Sequence, residues 1–318
     1  MRDLGMNERA WVIADAAIAR AHELRIAVHR LPGGARVIDA GVAVPGSFAA
    51  GRLLAELCMG GLGRIELVSL PIDGREWPGV HVATEHPAAA CMASQYAGWA
   101  IDPVGFFAMG SGPLRAAARV EEELFARLDY AEDASRGVLV LEGRALPIEA
   151  TAAWVAARAK IAAAGITLAV APTASVAGGV QVAARVLETG LHKMDVIGFD
   201  VRRVRTAAGT APLARTAATD IEAVGRTNDA ILYGGQARYT IDADDTALAA
   251  LADRLPACTS SDYGTPFSEI FRRYNHDFYK IDPNLFSPAE VWLTSAATGR
   301  TFHAGRLAPD VLRASLLD

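Results

Sequence analysis

"ITLAVAPTASVAGGVQVAARVLETGLHK", Ile166 to Lys193, holds the pattern that decides the fold. Its first six residues are apolar or small with one threonine, and read as a strand. "PTASVAGG" reads as a loop, and "VQVAARVLETGLHK" as a helix with one apolar face directed at a core. A strand that passes through a small-residue loop into a helix is an α/β unit, and sites in such proteins lie beyond the carboxyl end of the strand. Arg185 and Glu188 stand three residues apart on that helix, so they share a face and can touch. Pairs of this kind are usually exposed and worth about 0–1 kcal/mol. This one sits in nearly uncharged surroundings, so a surface ion pair and two halves of a catalytic site are both open on the residues alone.

The uncharged run around this unit, Ala162 to Ala184, is long enough to raise a membrane span. It is mostly Ala, Gly, Thr and Ser, with Pro172 and the pair Gly178-Gly179 inside, whereas a spanning helix needs sustained Leu, Ile, Phe and Val. A strand, a loop and a helix start in a soluble protein are expected instead.

Outward from this unit the same alternation continues. Glu8 to Leu24 reads as an amphipathic helix, "ARVIDAGVAVPG" as a strand ending in a turn, and Ser47 to Leu57 as a second helix. "GRIELVSLPI", "GVHVATEHP" and "GVLVLEG" read as strands. "GFFAMGSGPLRAAARVEEELFARL" reads as a Gly/Ser turn opening one long helix, with Pro113 in the first turn. "DVIGFDV" reads as a strand. "GRTNDAILYGG" reads as a polar turn placing Thr227, Asn228 and Asp229 just before another. A polar break at Ala145–Glu149 marks the candidate boundary between two domains, 1–145 and 146–318. The fold class expected is mixed α/β.

At 318 residues and 52% hydrophobic, the chain is long enough for two domains. The net charge of −5, with no long Lys/Arg cluster, argues against nucleic acid as a partner. The early charges of "MRDLGMNERAWVIADAA" do not match a secretory signal. Three cysteines, Cys58, Cys91 and Cys258, are far apart in sequence, and a reduced cytosolic protein is expected. The histidines, His22, His29, His81, His86, His192, His276 and His303, form no His-Glu-x-x-His, so no metal site is expected. "GGLGRIE" and "GSGPLRAA" both lack the Gly-x-Gly-x-x-Gly spacing that brings backbone against a pyrophosphate. "MGSGPLRAA" does place a turn at a helix start, where Ser111 or Gly112 could cap the helix or the N–H groups could hold an anion.

The segments "VIDAGVAVPGSFAAG", "CMGGLG", "SQYAGW", "GFFAMGSGP", "VAPTASVAG", "QVAARVLETGLHKM", "GRTNDAILYGG" and "DFYKIDPNLFSPAEV" are long, unusual and ordered along nearly the whole chain. On them the chain resembles the methenyltetrahydromethanopterin cyclohydrolases. The resemblance implies two α/β-type domains flanking a substrate cleft, a homo-oligomer that is typically a trimer, and a step of one-carbon metabolism without metal or redox cofactor. In that step a methenyl group bridging two nitrogens of a tetrahydromethanopterin-type carrier is reversibly hydrolysed to the 5-formyl form. The family's Arg-x-x-Glu helix motif falls on Arg185 and Glu188, which makes them the expected catalytic pair. By family position Gln95, Tyr96, Ser111, Gly112, Thr173, Asn228 and Asp229 are the substrate-binding candidates, each also readable as a turn, a cap or a cleft lining.

One position departs from the archaeal pattern. Archaeal members carry a lysine in Gln-Lys-Ala-Gly-Trp, where this chain has Tyr96 in "QYAGW". That form resembles the bacterial, methylotroph-type branch, whose carrier includes forms lacking part of the archaeal side chain. Two rivals stand beside this reading. One is an inactive relative that binds a pterin or serves in an assembly; the intact Arg185 and Glu188 argue against it. The other is a pyridine-nucleotide dehydrogenase, against which the missing dinucleotide fingerprint argues.

Overall fold

The computed structural model describes residues 4–103, 105–275, 277 and 280–317. His276, Phe278 and Tyr279, beside or within the "DFYK" segment, lie outside the described residues. The architecture is mixed α and β in two compact units. The first comprises Met1–Gly63 and Ala89–Gln181, the second Arg64–Ala88 and Val182–Asp318.

In chain order, helices α1 (Met6–Ala19) and α2 (Ala21–Leu24) precede strands β1 (Ala27–Arg30) and β2 (Arg36–Asp39) and helix α3 (Phe48–Cys58). Strands β3 (Gly63–Ile72) and β4 (Arg75–Thr84) are joined by Asp73-Gly74, both at positive φ, as a two-residue hairpin favours. A π-helical stretch over Ala88–Gln95 leads to β5 (Trp99–Ile101), β6 (Ala108–Ser111) and the short helices α4 (Leu114–Ala118) and α5 (Glu122–Leu128). Strand β7 (Gly137–Glu142), helix α6 (Glu149–Ala159), strand β8 (Ile166–Ala171) and helix α7 (Val176–Ala183) follow. Then come α8 (Val186–Val196), β9 (Val204–Pro212), α9 (Asp220–Gly234), β10 (Gln236–Ile241) and α10 (Asp245–Ala252). The chain closes with α11 (Phe267–Arg273), β11 (Glu290–Ser295), β12 (Thr301–Gly305) and α12 (Pro309–Leu312).

The first unit is a six-stranded sheet in the order β1-β2-β8-β7-β6-β5. Its three middle strands β2, β8 and β7 run parallel, and antiparallel partners close each edge. Side chains alternate between the two faces, as the pleat requires. Ile38, Val138, Val140, Ala169 and Ala171 pack beneath α1 and α3 together with Ala177 of α7. Val37, Leu139, Leu141, Leu168 and Val170 pack on the opposite face against Ala152, Val155, Ala156 and Ala159 of α6. The helix that follows β7 therefore covers one face and the helix that follows β8 the other. Where neighbouring parallel strands send their connections to opposite faces, a crevice opens at their carboxyl ends.

The second unit holds another six-stranded sheet, β12-β11-β10-β9-β4-β3, in which β10 and β11 are parallel. Helix α9 anchors an aromatic-rich core in which Ala230, Leu232 and Tyr233 meet Phe267, Ile270, Phe271, Leu285 and Leu312.

Four expectations are corrected. The boundary expected at residue 145 falls inside the first sheet, because β7 and β8 on either side of it are parallel neighbours from Gly137↔Ile166 to Glu142↔Ala171. The long helix expected after "AMGSG" is two short ones preceded by a strand; the chain turns at Arg119 (φ 51°), which lets Glu121 return to the buried Arg115. "DVIGFDV" is not a strand. Helix α8 runs through Val196, Gly198 at φ 86° ends it, and β9 begins at Val204. "GRTNDAILYGG" lies in helix α9, where Thr227 Oγ1 donates to Ala223 O at 2.9 Å and Asn228 Nδ2 to Val224 O at 2.8 Å. Both polar side chains thus bond one turn back along the helix instead of breaking it. Among the described residues no helix is long and apolar enough to cross a membrane. The uncharged run Ala162–Ala184 contains β8, a loop and α7.

Candidate active site

The helix read as one piece in "VQVAARVLETGLHK" is interrupted at Ala184–Arg185, with Arg185 at φ −80°, ψ 3°. This sparsely populated backbone region recurs at active-site residues. The interruption starts a new helix, α8, and places Glu188 in its first turn, where the helix dipole favours a negative charge. Arg185 Nη1 stands 3.9 Å from Glu188 Oε2, and the two side chains are only 9% and 7% exposed. The pair is buried rather than solvated. Holding two opposite charges away from water costs more than an exposed pair does, and breaking one such pair leaves an uncompensated charge.

Helix α8 is held in place along its length. Tyr239 of β10 donates to Leu187 O at 3.0 Å, across Gly190, where a Cβ would come within 2.2 Å of that hydroxyl. Lys193, fully buried, donates to Pro256 O, Thr259 Oγ1 and Asn284 O at 2.9, 2.7 and 2.6 Å. Burial lowers its pKa to about 8.

In the first unit the parallel strands deliver two carboxylates at their carboxyl ends. Asp39 ends β2 and is wholly buried. Its Oδ1 accepts from Gly41 N and Val42 N at 3.0 and 2.7 Å, and its Oδ2 from Ala43 N at 2.8 Å. It organises the "GVAVPG" loop. Glu142 ends β7, half-buried, and its Oε1 accepts a hydrogen bond from Thr173 Oγ1, just beyond β8. Ser175 shapes that same loop, donating to Pro172 O at 2.7 Å and accepting from Gly178 N at 3.0 Å.

The remaining candidates of this unit gather around Arg115. Its guanidinium, fully buried, donates to Met92 O and Ser94 O at 3.2 and 3.1 Å and through Nε to Glu121 Oε1 at 3.0 Å. It also lies 5.2 Å from the Tyr96 ring centroid, within cation–π range. Gln95 is wholly buried at the end of the π-helical stretch, a distortion that recurs at functional sites. Gly112 N donates to Ser94 O at 2.7 Å from a backbone at φ 109°, which explains the glycine there. Ser111 lies in β6 with Oγ 3.3 Å from Cys58 Sγ. The expected helix cap is not there: Pro113 occupies the N-cap of a five-residue helix, with no side-chain cap bond.

In the second unit Asn228 and Asp229 are placed on α9. Asp229 is 1% exposed, and its carboxylate accepts from Phe267 N at 2.8 Å and Ser315 Oγ at 2.6 Å. Burial raises its pKa to about 7. These contacts tie α11 and the C-terminal segment to α9. Among the described residues no three His, Cys, Asp or Glu side chains converge on a common point in the manner of a metal site.

A family model described as Cyclohydrolase (MCH) matches residues 5–316. The chain belongs to that cyclohydrolase family. It is 46% identical over 316 residues to the methenyltetrahydromethanopterin cyclohydrolase of Methylobacterium organophilum, covering 98% of this chain and 97% of that one. It is 41% identical over 317 residues to the protein of the same name from Methanocaldococcus jannaschii, covering 98% of each. The likeness to this cyclohydrolase family thus spans bacterial and archaeal proteins and runs end to end. Reading the sequence singled out Arg185, Glu188 and Thr173 but passed over Asp39 and Glu142. Each closes a strand, "RVID" and "GVLVLE", on a carboxylate.

Proposed function

We propose that the chain hydrolyses the methenyl bridge of 5,10-methenyl-tetrahydromethanopterin, or its dephospho form, to the 5-formyl product, reversibly. End-to-end similarity to proteins named for this activity supports the substrate class. The buried pair formed by Arg185, at the N-cap of α8, and Glu188, in its first turn, is the observation that carries the mechanism.

The substrate's bridge carbon is electrophilic because the amidinium spreads positive charge over it. Glu188 takes one proton from the attacking water as the carbon–oxygen bond forms, and its carboxylate stabilises the cation beforehand. In the tetrahedral adduct the bond from carbon to one nitrogen breaks, and Glu188 returns its proton to that departing nitrogen. The adduct's hydroxyl proton goes to solvent, which leaves the formyl group on the other nitrogen. Arg185 orients the carboxylate and favours its charged form. Gln95, Tyr96, Ser111, Gly112 and Thr173 are the binding residues this reading retains. Asn228 and Asp229 stay with them as candidates on α9, Asp229 also holding Phe267 N and Ser315 Oγ. The reading includes a cytoplasmic homo-oligomer, a trimer by family.

The test is the decay of methenyl-pterin absorbance on adding purified protein with a metal chelator present and methenyl-tetrahydrofolate as control. Decay well above the spontaneous rate, and specific to the methanopterin-type substrate, supports the reading. Tight binding at the spontaneous rate would replace it with a pterin-binding relative that does not turn over.

A further inference from the structure

We propose that Glu142, held by Thr173, is the residue that recognises the 2-amino-4-oxo edge of the substrate's pterin ring. The inference rests on the reading above that the substrate is a reduced pterin carrier. It adds the residue that would select that ring.

Position is the first ground. Glu142 and Thr173 end adjacent parallel strands whose following helices cover opposite faces of the sheet, α6 on one and α7 on the other. Ligands of open α/β sheets bind at such a switch point, outside the carboxyl ends of the strands.

Availability is the second. Asp39, at the end of β2, spends its oxygens on Gly41, Val42 and Ala43 N–H. Glu132, buried, accepts from Asn7 N at 2.8 Å and Tyr130 Oη at 3.1 Å. Among the described residues Glu142 accepts only from Thr173, on Oε1, and it is half-buried. An ionised carboxylate has about four acceptor positions, so both oxygens can still receive a donor.

Chemistry is the third. The pyrimidine edge of a pterin presents N3–H and the 2-amino N–H side by side, two parallel donors that one carboxylate accepts together. Such bidentate, charge-assisted pairs are both strong and geometrically selective. The Thr173 hydroxyl restrains the carboxylate's rotation, so less freedom is lost when the ring arrives. A site built this way rejects an analogue that lacks the donor, because a polar group is then left unpaired.

The experiment compares wild type, Glu142→Gln and Thr173→Val by steady-state hydrolysis of the methenyl carrier. Competition by 2-amino-4-oxopteridine is set against its 2,4-dioxo analogue. We expect Glu142→Gln to raise KM about 10- to 100-fold, the worth of charge-assisted hydrogen bonds, with the loss falling on KM rather than kcat. Thr173→Val should raise KM a few-fold, and wild type should favour the 2-amino competitor by about tenfold or more, a preference lost in Glu142→Gln. An unchanged KM and an unchanged competitor preference in Glu142→Gln overturn the assignment, as does a loss confined to kcat. If Glu142→Gln does not fold, Thr173→Val and the wild-type competitor preference decide. Absence of turnover in the wild type would remove the proposed activity itself. In that case calorimetric binding of the two pteridines to wild type and Glu142→Gln decides the ring assignment: a 2-amino preference that depends on Glu142 supports it, and none overturns it.

Discussion

Arg185 sits at the break between α7 and α8, and Glu188 faces it from the first turn of α8. The break matters because it gives the carboxylate a helix N-terminus beneath it and an arginine beside it.

Glu188→Gln should lower kcat by about 10²–10⁴-fold, the usual contribution of a general base, with substrate binding largely kept. Arg185→Ala should lower kcat as well and destabilise the protein by about 3–5 kcal/mol, because it leaves Glu188 buried without its partner. Single-turnover kinetics and urea unfolding separate the two effects. Wild-type turnover in Glu188→Gln would remove this residue from the chemistry.

Asp39→Ala should cost about 2–4 kcal/mol in unfolding free energy by stranding the three N–H groups of Gly41, Val42 and Ala43. Asp39→Asn should cost less, since its remaining oxygen still accepts. Chemical denaturation of the pair settles the order; equal losses would mean the loop is not held by this carboxylate.

Asp229 predicts a pH signature. Its folded-state pKa is raised by burial to about 7 from an ordinary 3.8. Between those values the native state holds a proton that the unfolded chain has released, so stability falls as pH rises from about 4 to about 7 and is flat above. Asp229→Asn should abolish that component and be most stabilising relative to wild type near neutral pH. Thermal melts across this window test it; parallel curves for the two proteins would show that Asp229 is not the group responsible. Turnover of the variant should stay near wild type if Asp229 serves the fold alone.

Lys193→Met should cost about 2 kcal/mol or more despite a similar volume, because Pro256 O, Thr259 Oγ1 and Asn284 O lose a common donor. Equilibrium unfolding measures the loss. A neutral result would mean that water takes the ammonium's place.

The elements legible in the sequence were those with a strong local period and a local stop. α3 begins one residue after Ser47, whose Oγ accepts from Ala50 N at 3.0 Å, and β7 and β8 fall on their apolar runs. What was misread depended on distant partners. "GRTND" looks like a turn until Thr227 and Asn228 are seen bonding one turn back, and Asp229 is fixed by Phe267 and Ser315, far along the chain. Arg115 bends what the pattern reads as one helix into two. Arg185, Glu188 and Thr173 were visible through their motif. Glu142 was not, because its significance comes from strand order, which no local pattern carries.

The chain changes unit at Gly63/Arg64, at Ala88/Ala89 and again at Gln181/Val182. Each unit is therefore stitched from two separated stretches of the polypeptide. No single cut yields either one as a continuous fragment. Synthesis must also deliver Ala89–Gln181 before the first unit is complete, and the stretch from Val182 onward before the second is. Neither can therefore finish folding from one uninterrupted stretch of chain.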